Sequence, residues 1–153
     1  MCISYVGQIS ILEESTMCEI SMIEPTKERL KIMIIEDEED ILTLYNDYLS
    51  SKGHQVVNKY KSTNNILKDI EKETPDVYLI DYRLPGNKNG IEIAIEILNK
   101  FPSAPILFIT AYERVVAEVS NNPLFHNRRV TVLLKPLKLD KLENSIINLV
   151  NKN

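Results

Sequence analysis

The stretch VYLIDYRLPG, residues 77–86, decides how the chain is read. Val77, Tyr78, Leu79 and Ile80 form an unbroken apolar run, the pattern of a β-strand covered on both faces, as in a parallel sheet. The run stops at a lone carboxylate, Asp81, and a Pro85–Gly86 turn follows. An acid that closes an otherwise buried strand costs solvation free energy unless neighbouring groups compensate for it.

Outward from this stretch the chain is rhythmic. KIMIIE (31–36), QVVNKY (55–60), DVYLID (76–81), APILFIT (104–110) and VTVLLK (130–135) read as five strands, the second more polar and therefore nearer an edge. Helix-period segments separate them. Ile41, Leu42, Tyr45, Tyr48 and Leu49 mark 39–51, closed by Gly53; Ile66, Leu67 and Ile70 mark 63–72, with Pro75 beyond. Ile91, Ala94, Ile97 and Leu98 mark 90–100, and Leu139, Leu142, Ile146, Leu149 and Val150 mark 139–151. The segment 112–121 has the weakest helical pattern, because NNPLFHNRR breaks it early. Five β–α units with short connections predict one five-stranded parallel sheet with helices on both faces, a doubly wound α/β domain over residues 31–153. Residues 1–30 stand outside the rhythm and read as a loosely held N-terminal extension with room for a short helix.

In an open parallel sheet, ligands gather beyond the carboxyl ends of the strands, where the strand order reverses. Here those ends are polar. Glu36 and Asp37 close the first strand, with Glu38, Glu39 and Asp40 behind them; Asp81 closes the third, Thr110 the fourth, and Lys135, followed by Pro136, the fifth. Two carboxylates a few Å apart raise each other's pKa and repel by about 4 kcal/mol at an effective dielectric near 20. A divalent cation offsets that, and an all-oxygen set of Asp37, Asp81 and a backbone carbonyl with room for water suits Mg²⁺. Lys135 adds an ammonium, and Thr110 a hydroxyl that can donate to an anion. A carboxylate so placed can accept a phosphoryl group covalently while metal and ammonium take up charge in an in-line transfer. Singly, these residues have plainer readings: Asp37 as a helix N-cap, Glu38, Glu39 and Asp40 as partners of the helix dipole, Thr110 as a strand-end cap, Lys135 as a solvated charge. Their joint placement at four strand ends carries the phosphoryl chemistry.

The segments IMIIEDEEDI, DVYLIDYRLPG followed by NG, ILFITAY and LLKPL, in that order, resemble a response-regulator receiver domain, the phosphoryl-accepting half of two-component signalling. The resemblance covers residues 31–153 and implies a flavodoxin-like sheet of strand order 2-1-3-4-5. It implies Glu36 and Asp37 as the acidic pair, Asp37 binding Mg²⁺ directly and Glu36 through water. It makes Asp81 the phosphoacceptor and a metal ligand, with Arg83 lending its backbone carbonyl to the metal. Thr110 becomes the switch hydroxyl and Lys135 the phosphate-contacting lysine, joined to Pro136 by a cis bond. The implied partners are a sensor histidine kinase or phosphotransfer protein and a downstream protein, and the resemblance allows a phosphorylation-dependent homodimer.

Three departures accompany it. The turn RLPGNKNG is one residue longer than usual; Val132 stands where the family commonly has Tyr or Phe three residues before the lysine, with Tyr112 as a candidate substitute; and SNNPLFHNRRV lengthens the link between the fourth and fifth strands.

A net charge of −4 leaves no basic field for nucleic acid or an anionic membrane surface. No apolar run approaches a membrane span, and the first residues lack the basic and apolar regions of a secretory signal. Cys2 and Cys18 stand at no metal or redox spacing and read as solvated thiols, which fits a reducing cytoplasm. His54 and His126 read as surface histidines, and Arg128 and Arg129 as a solvated pair. Residues 136–153 suffice for one last helix, so the expectation is a stand-alone receiver whose output passes through a partner. The alternative is a receiver-like interaction module that works without phosphorylation. An aspartyl-phosphate phosphatase is disfavoured, since Arg83 occupies the position where such enzymes carry a general-acid aspartate. A flavin site is disfavoured by the acidic loop EDEED.

Overall fold

Strand β3 (Val77–Ile80) forms where the apolar run predicts it and is buried at every position. Around it lie β1 (Lys31–Ile35), β2 (Gln55–Tyr60), β4 (Ile106–Thr110) and β5 (Val130–Leu134). They make one sheet of order β2-β1-β3-β4-β5, every neighbouring pair parallel. The computed structural model describes residues 28–61, 63–64 and 66–152; residues 1–27, with Cys2, Cys18 and most of the proposed extension, lie outside the described residues.

Alternation along the strands builds two cores. Met33, Ile35, Tyr78, Ile80, Ile106 and Phe108 face one side of the sheet, and Ile32, Ile34, Val77, Leu79, Leu107 and Ile109 the other. The first face is covered by α2 (Ile66–Ile70), α3 (Gly90–Lys100) and α4 (Arg114–Asn121), the second by α1 (Glu39–Ser51) and α5 (Leu139–Val150). Each fully buried Ile or Leu contributes about 1.5–3 kcal/mol relative to exposure, so the sheet interior anchors the site that its strand ends carry. β2 is only half-buried and lies at an edge, as its polar sequence predicts.

Helix boundaries follow local chemistry. In α1, Leu42, Tyr45 and Leu49 form the buried stripe, and Glu39 and Asp40 sit in the first turn, favourable to the positive end of the helix dipole. Its N-cap is Glu38, without a side-chain capping bond, so Asp37 is not held as a cap. α3 begins with a capping box: the Glu92 N–H donates to Asn89 Oδ1 at 3.0 Å, and the Asn89 N–H to Glu92 Oε2 at 2.7 Å. α2 is shorter than the 63–72 pattern predicts. Thr63 is diverted to the neighbouring loop, its N–H donating to the Pro85 carbonyl at 3.1 Å and its hydroxyl oxygen accepting from the Lys88 N–H at 3.4 Å. α4 starts at Arg114, two residues beyond the expected start, leaving Tyr112 in the loop. The long link that follows is anchored by one 3₁₀ turn, Pro123–Phe125, whose Phe125 packs edge-on against Phe108 at 6.0 Å between ring centroids.

One surface assignment from sequence needs correction. His54 is buried: its Nδ1 accepts the Leu30 N–H at 3.3 Å, and its Nε2 lies 3.5 Å from Glu143 Oε1. The Tyr48 hydroxyl donates to the other Glu143 oxygen at 3.3 Å, so this polar cluster ties the starts of β1 and β2 to α1 and α5. Arg128 and Arg129 are structural ties, donating to the carbonyls of Pro102 (2.7 Å), Ser103 (2.6 and 3.2 Å) and Val150 (3.0 Å). His126 is exposed, as expected, with its Nε2 3.0 Å from the Ser120 carbonyl oxygen.

The turn after β3 rests on Gly90, where a Cβ would lie 2.2 Å from the Asp81 carbonyl oxygen and 2.9 Å from Tyr82 Cα. Backbone cannot yield as a flexible side chain does. Gly90→Ala is expected to lose about 1–3 kcal/mol of unfolding free energy, the usual range for overpacking. An unchanged urea midpoint would show that α3 moves away freely.

Candidate functional site

Register creates the site. Ile35 of β1 pairs with Ile80 of β3, so the next residues, Glu36 and Asp81, leave the sheet side by side. The Asp81 N–H donates to the Ile35 carbonyl and the Glu36 N–H to that of Tyr60, both at 2.9 Å, which holds the two backbones in line. At the other side Thr110 pairs with Leu134, and the Lys135 N–H donates to the Thr110 carbonyl at 2.9 Å. The Lys135–Pro136 bond is cis.

Among the described residues, Glu36, Asp37 and Asp81 each bring a carboxylate oxygen within 4.8 Å of the others. Glu36 and Asp81 are buried and Asp37 is exposed. Lys135 Nζ donates to Glu36 Oε2 at 2.7 Å and to Asp81 Oδ2 at 3.4 Å, and lies 3.9 Å from Glu38 Oε1. Thr110 is fully buried, its hydroxyl oxygen accepting the Tyr112 N–H at 3.2 Å.

Burial pushes the Asp81 carboxyl above its ordinary range, opposed by the Lys135 charge and hydrogen bond and by the backbone N–H groups of Arg83 and Tyr82. Glu36 is likewise raised by burial, with the Asp81 charge adding to it, against the Lys135 hydrogen bond and the Glu38 N–H. Burial works against the charge on Lys135, but the Glu36 hydrogen bond and both carboxylates outweigh it, and its pKa is raised. The ammonium is thus firmly protonated between two acids that are each hard to ionise.

Beside the acids stands a cluster that the sequence reading assembled only in part. Arg83 Nη1 donates to the Tyr112 hydroxyl at 2.6 Å, with its guanidinium carbon 5.3 Å from the ring centroid. Arg114 lies over both Tyr82, at 5.5 Å, and Tyr112, at 5.7 Å, and the two tyrosine rings meet edge-on at 6.0 Å. Tyr82 and Arg114 carried no motif of their own; their only signal was alternation of Tyr and Arg just after two strand ends. Val132 is half-buried in register with Phe108, in the position lacking the aromatic.

A family model described as the response regulator receiver domain matches residues 32–147. The chain belongs to that family. This receiver is 27% identical over 119 residues to the regulatory protein LuxO of Vibrio cholerae, a match covering 78% of the chain and 25% of LuxO. It is 29% identical over 109 residues to VanR of Enterococcus faecium, covering 71% of the chain and 46% of VanR. The chain thus spans about a quarter and about half of these two relatives. Among solved structures, the receiver domain of PhyR from Erythrobacter litoralis superposes with TM-score 0.67 at 26% identity, over 82% of this chain and 95% of that one. PhyR from Brucella abortus gives 0.65 at 31% identity, over 80% and 48%.

Receiver domains generally bind Mg²⁺ through acidic residues, and the donor set of this receiver fits that ion: three carboxylates, all hard oxygen donors, two of them buried. Lys135 alone offsets them only in part, since both acids remain raised. Among the described residues, no helix of the receiver is long and apolar enough to cross a membrane.

Removal of the ammonium gives a pH test. A carboxyl whose folded pKa exceeds its unfolded value adds stability below the unfolded pKa and loses it as pH rises through the folded one. Lys135→Met, measured without divalent ions, is expected to raise both carboxyls further and to cost about 3 kcal/mol near neutral pH. The deficit against wild type should shrink as pH falls below neutral and the acids protonate. A deficit independent of pH would show that Lys135 does not hold the acids ionised.

Proposed function

We propose that this receiver accepts a phosphoryl group on Asp81 from a phosphohistidine donor, either a sensor histidine kinase or a phosphotransfer protein, and signals by changing how it binds a downstream protein. The observation that carries this reading is Asp81 itself, a buried carboxylate beside two further acids and within reach of a protonated lysine.

Asp37, Asp81 and the Arg83 carbonyl would hold Mg²⁺, with Glu36 acting through water; the bound ion supplies charge stabilisation to the phosphoryl oxygens. An Asp81 oxygen forms the bond to phosphorus while the bond to the donor's imidazole nitrogen breaks, and that nitrogen keeps the electron pair. Lys135, raised and therefore charged, can leave Glu36 for a phosphoryl oxygen without changing protonation. Thr110 has a hydroxyl proton to donate, since its oxygen already accepts from Tyr112.

With Val132 too small to act as a rotating ring, Tyr112 is the aromatic two residues after Thr110, and its bond to Arg83 couples the two loops beside Asp81. Exposed Val116 on α4 and Leu134 on β5 offer apolar surface for the downstream protein, which fits output by protein contact. A cytoplasmic setting follows from a kinase or phosphotransfer donor.

Incubation with acetyl phosphate and Mg²⁺ is expected to add one acid-labile phosphoryl group, seen by intact mass, and to add none to Asp81→Asn. Chelation of Mg²⁺ should abolish the modification in wild type. Equal labelling of Asp81→Asn, or labelling unaffected by chelation, would overturn the assignment.

A further inference from the structure

Ile34, Leu79 and Leu133 pack on the face of the sheet that α1 and α5 cover. Two residues further along come Glu36, Asp81 and Lys135, which strand alternation returns to that same face. The bonds from Lys135 to both acids fit this placement. The site therefore stands over the first turns of α1, whose buried stripe is Leu42, Tyr45 and Leu49. Tyr45 is the one member with a polar tip. It is 5% exposed and packs in the cluster that holds Ile34 and Leu133. From the N-cap Glu38 to Tyr45 the helix rises about 10 Å. Helix side chains lean back toward the N-terminus, and here that lean carries the Tyr45 hydroxyl toward Glu38 and the strand ends.

Burial raises the pKa of Tyr45 above its ordinary range, and the charges of Lys135, Glu36, Asp81 and Glu38 all act on its hydroxyl. It is thus a neutral phenol with a proton to donate. Among the described residues the hydroxyl makes no hydrogen bond, and unlike that of Tyr78 it is not sealed from solvent. Glu36, by contrast, is only 2% exposed, and each of its oxygens has one donor: the Glu38 N–H on Oε1 at 3.1 Å and Lys135 Nζ on Oε2 at 2.7 Å. When Lys135 turns to a phosphoryl group on Asp81, Oε2 loses its donor. A buried carboxylate oxygen left unpaired is costly, and that cost opposes the departure of the lysine.

We infer that Tyr45 is a positioning residue for the transfer proposed above: its hydroxyl donates to Glu36 Oε2 in place of the Lys135 ammonium and so frees the lysine for the phosphoryl oxygens. This role rests on Asp81 as the phosphoacceptor. A phenol suits it, because a neutral donor can wait beside Glu36 without repelling the ammonium, as a second lysine or an arginine would. The exchange swaps one hydrogen bond for another and moves no proton between groups.

The test is a double-mutant cycle by urea unfolding at pH 8 without divalent ions, on wild type, Tyr45→Phe, Lys135→Met and the double variant. Lys135→Met makes permanent the state that transfer creates transiently, a Glu36 without its ammonium. Loss of the hydroxyl is expected to change the unfolding equilibrium constant of wild type by less than about twofold, and to raise that of Lys135→Met about tenfold, the size of one hydrogen bond to a charged group. A second measurement needs only Tyr45→Phe: with acetyl phosphate and Mg²⁺, its labelling rate at saturating donor is expected to fall about fivefold, one lost hydrogen bond, with the half-saturating donor concentration and the final stoichiometry unchanged. Equal effects of Tyr45→Phe in both backgrounds would mark a merely structural tyrosine and overturn the inference, as would an unchanged labelling rate. Wild type that takes no label overturns the assignment of Asp81, and the transfer role of Tyr45 with it, while the cycle still decides the contact between Tyr45 and Glu36.

Discussion

Glu36 and Asp81 are forced together by backbone pairing, and most of the site follows from relieving that contact. Once Ile35 and Ile80 are partners in adjacent parallel strands, the acids that follow them have no separate directions to take. Lost hydration raises both pKa values, the Asp81 charge adds to the rise at Glu36, and a single ammonium answers them. That ammonium has to arrive from β5, which is not a neighbour of β3, because β4 lies between. A lysine is long enough to reach across the end of β4, and Thr110, which closes β4, is small enough to let it pass. An aromatic residue at that strand end would obstruct the reach of the lysine to Asp81. One pairing register therefore constrains the residue types at two other strand ends.

The fold and the acids were legible in the sequence because both rest on repeated or clustered signals. Apolar runs doubly buried in a parallel sheet contrast sharply with the polar residues that end them, and helix stripes such as Leu42, Tyr45 and Leu49 recur on a fixed period. What escaped depends on contacts between single residues far apart in the chain. His54 follows a glycine stop and looks like loop, yet its burial is set by Leu30 and Glu143, neither of which is near it in sequence. The truncation of α2 is another such case. Periodicity reported Ile66 and Ile70 correctly, while Thr63 was lost from the helix to the carbonyl of Pro85 in a loop whose path no local pattern encodes.

The loops beside Asp81 are not independent. Gly86, at φ +122°, lets the turn after Asp81 fold against Thr63 in the neighbouring loop. Arg83 leaves that turn toward Tyr112. With Val132 in the aromatic position, the aromatic groups beside the acids are Tyr82 and Tyr112, and two arginines stack on them. A cation over a ring face gains from the ring quadrupole without neutralising either acid, so the cluster adds order beside the site while leaving the carboxylates for a metal.

The two ends of β3 place polar atoms under the same constraint and resolve it differently. At the carboxyl end Asp81 is ionisable, and burial of its charge demands other charges: a lysine, two backbone N–H groups and a metal site. At the amino end Tyr78 is neutral at ordinary pH, so burial costs it less, and the fold closes around the ring with no partner for the hydroxyl among the described residues. On a strand with every side chain buried, a charged tip has to be met from outside the strand, whereas a neutral one costs less to leave unmet. For Asp81 that something is built into the neighbouring strand ends. For Tyr78 nothing of the kind is supplied among the described residues, and the cost is that of one sealed, unpaired neutral hydroxyl.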